Sequence, residues 1–401
     1  MRIFVLTPIY ATTTQGSGAT PVVHYFVKEW VKLGHEVRVL NLRARYPKIF
    51  YWFGKHFQHK LNSRLGMLVP TEYPEDKRYL ADGVYVRQLC LSKNKPHALY
   101  PTKELQYAIE EIKKECQQTY IPDIFIGHWD NPQLEILIAL KEIFHKPICL
   151  VFHDNIFHLE KKYGKNLKAM LEKIDFVGFR NQASRKDYEN KYGKPHHSFI
   201  ACSGVSRSFL KAGETYSPNF ESGITNFIFV GSLIARKYPK ANLQALLNNY
   251  PDKNFSITYV GEGDEKNSII DEANKNNAQS CIYLTGRINR ERVIEYLEKA
   301  QVFVMISKKE IFGLVYLEAM ALGLIPIASK GEGIDGIIKD GVNGFLCEAG
   351  NVDELSHIIQ KLRNMSKEQL QEISLKAKET ARLFSDSKVA ENYLKNLQTY
   401  F

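Results

Sequence analysis

Two glutamates in an otherwise apolar stretch are the residues of this chain whose type and spacing could do chemistry. Glu310 and Glu318 lie eight residues apart in the segment EIFGLVYLEAMALG. Burying such acids without polar partners is costly, so we expect both carboxylates to face a ligand. The turn at Phe312 and Gly313 predicts a helix start, where free N–H groups and the positive end of the helix dipole suit a phosphate. Because carboxylates suit hydroxyl groups, the combination predicts a nucleotide-sugar site.

The same segment resembles the Glu-x7-Glu motif of the family-four (GT4) retaining glycosyltransferases, the group 1 enzymes of the GT-B fold. The resemblance implies that Glu310 touches the donor sugar and that Glu318 binds the ribose hydroxyls. It also implies that sugar hydroxyls and pyrophosphate are held by the backbone of Phe312, Gly313, Leu314 and Val315. The spacing alone would favour a core helix with one exposed glutamate, but the matches elsewhere in the chain favour the donor site.

A second matching segment supplies positive charge. Residues 229–237, FVGSLIARK, resemble the family's V-G-R-L-x-x-x-K signature, in which a strand and a loop bring two cations to the donor pyrophosphate. Lys237 falls on the family's lysine, whereas Ser232 stands where the family has its first arginine. Arg236 restores that charge if its side chain turns inward. Such cations stabilise a departing diphosphate, so Glu310, Lys237 and Arg236 are predicted catalytic residues. An exposed basic loop is the alternative.

Three glycine-containing turns complete the predicted donor site. Residues 284–288 resemble the family's strand end that holds the nucleobase, which makes Arg287 and Ile288 candidates for base contacts. Residues 260–264, VGEGD, resemble its G-x-G turn. Gly18 lies at the family's key glycine after the first strand, where the backbone approaches a pyrophosphate. Proline takes the last glycine's place of a G-x-G-x-x-G motif there, so NAD binding is disfavoured. Turns without a ligand are the alternative.

Two histidines follow predicted strands. His153 and Asp154, in LVFHD, resemble the family's first-domain histidine loop, which reaches the donor sugar. We therefore predict His153 to be catalytic and Asp154 to line the cleft. His128, in IGHWD, is the second candidate, because ligands bind at the carboxyl ends of strands in doubly wound sheets. A buried structural histidine is the alternative at either position.

Two doubly wound domains are needed to position these residues. Short apolar runs alternate with helical stretches in residues 1–205 and again in residues 206–385, which indicates parallel sheets. We predict an α/β protein of GT-B fold, with a Rossmann-like acceptor-binding domain facing a Rossmann-like nucleotide-sugar-binding domain across a cleft. By resemblance, a helix at 386–401 crosses back to the first domain. Residues 211–225 are the best linker candidate. Predicted strands cover 3–7, 36–41, 84–87, 124–127, 148–152 and 176–178, then 226–231, 256–261, 281–284, 302–306 and 325–328.

The positive charge of the chain, +10 in total, is concentrated in the segment 38–64. The residues from Val37 to Thr71 include no acid, and the aromatic run IFYWF is interleaved with the cations. This composition predicts contact with an anionic membrane surface. An ordinary surface loop is the alternative, and nucleic acid is not expected because no other binding signature accompanies the segment. The cations are Arg38, Arg43, Arg45, Lys48, Lys55, Lys60 and Arg64.

Cysteine usage and hydropathy bear on the compartment. The six cysteines are scattered without a C-x-x-C pair, which suggests neither a zinc site nor a disulfide framework. No secretory signal or membrane-spanning run is evident. We expect a cytoplasmic protein, or one peripheral on the inner face of the cytoplasmic membrane.

The resemblance implies a retaining hexosyltransferase that moves a sugar from an NDP-sugar, preferably a UDP-sugar, to a glycan or lipid-linked acceptor in surface polysaccharide biosynthesis. No D-x-D motif occurs, so we expect no obligatory metal and no other cofactor. The sequence names no nucleophile, which favours front-face departure and attack over double displacement. A GT-B nucleotide-sugar epimerase and a non-catalytic basic module that binds membrane or nucleic acid are the alternatives.

Overall fold

The computed structural model describes residues 1–11, 21–65, 71–96, 98–118, 120–153 and 157–398. The chain divides into two compact units. Unit 1 comprises Met1–Arg180, Ser184–Cys202 and Val389–Phe401, and unit 2 comprises Asn181–Ala183 and Ser203–Lys388.

Unit 1 is built on a sheet of eight described strands. In chain order they are β1 Arg2–Thr7, β2 Glu36–Arg45, β3 Lys77–Ala81, β4 Val84–Ser92, β5 Ile124–His128, β6 Ile148–Phe152, β7 Phe176–Phe179 and β8 His197–Ile200. The sheet order is β3-β4-β2-β1-β5-β6-β7-β8, and β3 pairs antiparallel with β4 while the other pairs are parallel. Every residue of β5 and β6 is buried, as expected of parallel strands covered on both faces.

The helices of unit 1 pack around this sheet. They are α1 Val22–Lys32, α2 Lys48–Leu65, α3 Thr102–Gln118, α4 Gln133–Phe144, α5 Phe157–Tyr163, α6 Leu167–Glu172 and α7 Gln182–Tyr192. No helix among the described residues is long and apolar enough to cross a membrane.

Unit 2 contains a sheet of six parallel strands within the described residues. They are β9 Asn226–Val230, β10 Ser256–Val260, β11 Ile282–Gly286, β12 Val302–Val304, β13 Ile325–Ser329 and β14 Phe345–Cys347. The order β11-β10-β9-β12-β13-β14 is that of a doubly wound Rossmann sheet, with its topological switch point between β9 and β12. The predicted α/β class with two Rossmann-like domains is confirmed.

The helices that complete unit 2 lie between and after these strands. They are α8 Arg207–Thr215, α9 Pro239–Asn249, α10 Lys266–Lys275, α11 Val293–Leu297, α12 Leu314–Ala321, α13 Val352–Arg363 and α14 Lys367–Leu383. The last helix, α15 Asp386–Gln398, begins in unit 2 and continues into unit 1. There Tyr393 packs its ring 5.2 Å from Phe26 and 5.0 Å from Trp30, centroid to centroid.

The stretch 211–225, predicted as a linker, lies inside unit 2. Its first residues belong to α8. The side chain of Lys378, a buried residue, holds the end of α8 and the residues after it. Its ammonium donates to Gly213 O at 2.9 Å and to Ser217 Oγ at 2.7 Å. A buried charge needs such acceptors, so these residues are part of the packed unit and the linker prediction is wrong.

The basic segment 38–64 divides between two elements, β2 and α2. Arg38 and Arg45 lie in β2, where Arg38 stacks over the Tyr120 ring at 4.1 Å and Arg45 forms an ion pair with Asp76 at 3.3 Å. The aromatic run belongs to α2. The side chains of residues 57–65, which include Lys60 and Arg64, lie outside the described part. Arg38 and Arg45 therefore have partners within unit 1, and the membrane contact predicted for the segment stays a prediction.

Candidate donor site and the unit 1 histidines

The switch point of the unit 2 sheet brings together the loops that follow β9 and β12. The two strands are neighbours and parallel, so their carboxyl ends meet at one edge, where ligands bind in doubly wound sheets. The loop after β9 carries Arg236 and Lys237 in a short 3-10 turn. The loop after β12 carries Glu310 and leads into α12. These are three of the four residues predicted to be catalytic; the fourth, His153, lies in unit 1.

Glu310 lies between both cations. Its Oε2 is 3.3 Å from Lys237 Nζ and 3.6 Å from Arg236 Nη1. Arg236 also donates from Nη1 to Lys308 O at 3.4 Å and Lys309 O at 3.3 Å. The side chain of Arg236 thus turns toward the loop after β12, and two cations converge on one carboxylate.

Lys237 is held in a restricted environment. Its side chain is 12% exposed, and Nζ lies 3.5 Å from Met305 Sδ at the end of β12. Burial lowers the pKa of this lysine, while the Glu310 carboxylate opposes the shift and the Arg236 charge adds to it. A Cβ at Gly231 would lie 2.9 Å from Nζ, at a φ of +154°. Glycine at the end of β9 therefore leaves room for the ammonium.

The G-x-G turn after β10 packs directly on the loop that carries Lys237. A Cβ on Gly261 would lie 1.9 Å from Gly231 O, and one on Gly263 would lie 2.1 Å from Leu233 O. Leu233 N donates to Glu262 O at 2.9 Å. Only glycine permits this backbone contact, so the turn fixes the course of the loop after β9 and supports the cations.

The loop around Glu310 is fixed by residues that the motif did not indicate. Glu310 N donates to Glu332 Oε2 at 2.7 Å, and Gly333 N donates to Glu310 O at 2.8 Å. The side chain of Asn181 donates to Ile311 O. These partners are distant in sequence, and no local pattern in the chain pointed to them.

Helix α12 begins where the sequence predicts. Gly313 is its N-cap at φ +72°, and a Cβ there would lie 2.5 Å from the Tyr316 ring. The Tyr316 hydroxyl donates to Met305 O and fastens the helix to the end of β12. Leu314 and Val315 form the first turn and are partly exposed. Because the first N–H groups of a helix have no intrahelical acceptor, this end suits an anion.

Glu318 lies within α12, after the N-cap Gly313, and has a different environment from Glu310. Its side chain is 6% exposed and pairs with Arg290, in the turn after β11. Sequence reasoning missed Arg290. Arg287 is exposed and Ile288 is partly exposed in the same turn, so the predicted base contacts and the predicted ribose carboxylate share one loop.

The two candidate histidines form a buried pair in unit 1. His128 Nδ1 lies 2.9 Å from His153 Nε2, and His153 stacks on Trp129 with ring centroids 3.8 Å apart. Burial, aided by the charge of Arg180, lowers the pKa of His128 to about 3 and that of His153 well below the ordinary value. Both rings are neutral near pH 7, so neither carries a charge for catalysis. Gly18 and Asp154 lie outside the described residues.

Comparison with known proteins identifies related chains. The sequence profile described as "Glycosyl transferases group 1" matches residues 217–380. A glycosyltransferase of Methanocaldococcus jannaschii is 31% identical over 282 residues, which cover 68% of this chain and 74% of that protein. The N-acetyl-alpha-D-glucosaminyl L-malate synthase of Bacillus anthracis is 31% identical over 109 residues, 27% of this chain and 28% of that enzyme.

Solved structures share the fold over the whole chain. Sucrose-phosphate synthase from Thermosynechococcus elongatus superposes with a TM-score of 0.71 at 17% identity, covering 100% of this chain and 99% of that one. The Anabaena protein HepE, solved in complex with UDP, gives a TM-score of 0.67 at 15% identity and covers 100% of both chains. At such identities the likeness shows the two-domain fold of these proteins.

Proposed function

The chain belongs to the group 1 glycosyltransferases, and we propose that it is a retaining, family-four hexosyltransferase with a UDP-sugar donor. Its acceptor would be a glycan or lipid-linked sugar in surface polysaccharide biosynthesis. The observation that carries the proposal is the convergence of Lys237 and Arg236 on Glu310 at the start of α12. It places two cations, a helix N-terminus and a carboxylate at one sheet edge, the groups that a sugar diphosphate requires.

The cations would act on the leaving group. As the bond between sugar and diphosphate breaks, negative charge builds on the β-phosphate oxygens, and positive groups held in place lower the energy of that state. Lys237 supplies a fixed ammonium and Arg236 a guanidinium that can bind two oxygens. In this proposal Arg236 takes the place of the arginine that the family has at the position of Ser232, and Lys237 is the family's lysine.

Glu310 is better suited to gripping the sugar than to attacking it. A carboxylate whose Oε2 lies 3.3 Å from one cation and 3.6 Å from another is a weakened nucleophile, because both positive charges attract the electrons that would attack the sugar. Carboxylate oxygens accept hydrogen bonds from sugar hydroxyls well. This supports front-face chemistry, in which the leaving phosphate helps to deprotonate the acceptor.

The preference for uridine has indirect support. HepE was solved with UDP, and a trehalose-6-phosphate enzyme of E. coli with the same fold was solved with UDP-2-fluoro glucose. Each is less than 25% identical to this chain, so the likeness shows the fold, and the donor nucleotide is proposed.

Calorimetric titration of the full chain with UDP-, GDP- and ADP-glucose tests the donor site. UDP-glucose should bind tightest, and Lys237→Met should weaken its binding at least about tenfold, or about 1.4 kcal/mol. Glu310→Gln should abolish transfer but retain UDP binding. Lys376→Met is the matched control, since Lys376 also pairs with a glutamate but lies on α14. Equal affinity of Lys237→Met and Lys376→Met for UDP-glucose would contradict the proposed site.

Incubation with donor alone separates transfer from epimerisation. A transferase without acceptor leaves the NDP-sugar intact apart from slow hydrolysis, whereas an epimerase accumulates the epimer. Proton NMR of the anomeric signals distinguishes the two. Epimer formed in high yield would overturn the transferase assignment while leaving the donor site in place.

A further inference from the structure

A group of charged side chains at the carboxyl edge of the unit 1 sheet has no role in the donor site. We name it the Lys93 cluster, consisting of Lys93, Asp130, Glu135, Lys162 and Tyr163. Lys93 directly follows β4, and Asp130 comes two residues after β5. Both strands are parallel to β1 in the same sheet, so their carboxyl ends lie at the edge where doubly wound sheets bind ligands.

The ammonium of Lys93 is the unusual member of the cluster. The residue is 7% exposed, and the Tyr100 ring lies 4.4 Å from Nζ. Among the residues that the structure describes, Nζ has no hydrogen-bond acceptor and no ion-pair partner. Burial lowers the pKa of Lys93 to about 8, and the charge of Lys162 adds to the shift. Lysine remains mostly protonated at neutral pH with such a pKa, so a largely buried side chain carries a positive charge with no described anion in contact with it.

The neighbouring charges are already engaged with one another. Lys162 Nζ lies 2.9 Å from Asp130 Oδ2, with the side chains 16% and 11% exposed. Glu135 accepts a hydrogen bond from the Tyr163 hydroxyl at 3.1 Å, and burial raises its pKa. Both carboxylates act on Lys93 at longer range and raise its pKa, but neither pairs with it.

A buried charge without a partner is costly and is rarely kept for stability alone. Its cost is offset when a ligand supplies the missing opposite charge, and a compact ammonium is a common phosphate-binding group. The cluster belongs entirely to unit 1, whereas the residues that would bind the donor belong to unit 2.

We propose that Lys93 binds an anionic group of the acceptor, a phosphate or a carboxylate, with Lys162 and Asp130 beside it. The inference rests on the proposed transferase function, and it narrows the acceptor to a sugar or lipid-linked sugar that carries a negative charge. Lys93 bonds to the anion, and the ion pair of Lys162 with Asp130 offers a second cation together with an acceptor for sugar hydroxyls.

Calorimetry on the full chain tests this site. UDP is titrated first, so that the phosphate positions of the donor site are filled, and glucose, glucose 6-phosphate and glucuronate are then titrated separately. We expect one charged sugar to bind at least about tenfold tighter than glucose. Preference for glucose 6-phosphate assigns a phosphate, and preference for glucuronate assigns a carboxylate. Equal binding of all three, or no binding of either anion, overturns the proposal.

Two variants separate binding from structure. Lys93→Met keeps the length of the side chain and removes the charge, so it should abolish the preference for the charged sugar while raising the thermal midpoint. Lys173→Met is the control in the same unit, because Lys173 pairs with Glu142 at 3.0 Å and is 53% exposed. A charged-sugar preference that survives in Lys93→Met overturns the proposal.

The UDP titration keeps the two proposals apart. Absence of UDP binding to the wild-type chain would contradict the donor site of unit 2. The proposal for Lys93 would then stand or fall on the sugar titrations alone. Normal UDP binding by Lys93→Met, with the anion preference gone, supports both. The comparison among the three sugars in the wild-type chain stays decisive even if the variant fails to fold.

Discussion

At the scale of single residues, the site depends on a lysine whose charge is held in a partly desolvated position. Lys237 is surrounded by Met305, Glu310 and Arg236. In the proposed donor site its ammonium would exchange Glu310 for a phosphate oxygen of the donor. Arg236, 44% exposed, has more freedom and would follow the diphosphate as it leaves.

The pH dependence of UDP binding should reveal Lys237. Burial lowers the pKa of Lys237 below the ordinary lysine value of 10.5, so the ammonium of the free protein loses its proton at a lower pH than an ordinary lysine. Phosphate affinity should fall as the pH rises through this lowered pKa. Lys237→Arg keeps its charge throughout this range, so its affinity should decline only at higher pH. Calorimetric Kd values measured from neutral to alkaline pH provide the comparison. If the UDP affinity of the wild-type chain and of Lys237→Arg declined over the same alkaline pH range, a group other than Lys237 would control the decline.

The motif residues could be predicted from sequence, whereas their partners could not. Glu310, Lys237 and Arg236 stand at spacings that mark two loops after strands, and the structure brings them together. Arg290 and Glu332 contact the two glutamates from loops distant in sequence. Such contacts depend on which strands are neighbours and on loop conformation, and neither is encoded in a local pattern.

At the scale of elements, strands with continuous apolar runs were predictable and edge strands were not. All the predicted strands are present, among them β6 and β13, whose residues are entirely buried. The sequence did not indicate β3, β8 or β14. The first is a mostly exposed edge hairpin strand, the second contains His197 and Ser198, and the third is three residues long. Their apolar signal is too weak or too short for period-based prediction.

Helix α2 presents three exposed apolar side chains among its described residues, two of them aromatic. Ile49, Trp52 and Phe53 are 64%, 54% and 43% exposed, and Lys48 and Lys55 lie on the same helix. An exposed apolar group flanked by cations suits the interface of an anionic membrane, with rings at headgroup depth. We propose that this helix, rather than the whole segment 38–64, carries any membrane contact.

Vesicle sedimentation tests α2 directly. The wild-type chain should bind vesicles that contain anionic lipid, and the double variant Trp52→Ala, Phe53→Ala should lose most of that binding because both apolar anchors are gone. Added salt should weaken the wild-type interaction, since charges at the surface are screened. Tyr107→Ala removes a 45% exposed ring from α3 and is the matched control. A double variant that sediments like the control would remove α2 from the membrane proposal.

At the scale of the whole molecule, the first unit needs the end of the chain. After α14 the chain enters α15, whose buried face includes Ala390, Tyr393 and Leu397. Trp30 Nε1 donates to Ala390 O at 3.0 Å, so the last helix both fills the core of unit 1 and satisfies a buried donor. Composition gave no sign of this partner, and only the family resemblance led us to expect the crossing.

Removing the Tyr393 ring should destabilise unit 1 strongly. The side chain is 1% exposed, and its ring lies 4.8 to 5.2 Å from the rings of Phe199, Trp30 and Phe26. Tyr393→Ala leaves a cavity among them, and comparable aromatic deletions cost about 3–5 kcal/mol. All three tryptophans of the chain lie in unit 1, so urea unfolding followed by tryptophan fluorescence reports on this unit.

The matched control for that measurement is on the same helix. Glu391 lies on the exposed side of α15, with its side chain 49% exposed, and Glu391→Ala should change the free energy of unfolding by no more than about 0.5 kcal/mol. Tyr393→Ala should move the fluorescence midpoint to clearly lower urea, whereas Glu391→Ala should leave it in place. Because Trp30 itself contacts Tyr393, its emission should also shift to longer wavelength as water enters the cavity. Equal midpoints for the two variants would show that α15 does not support the core of unit 1.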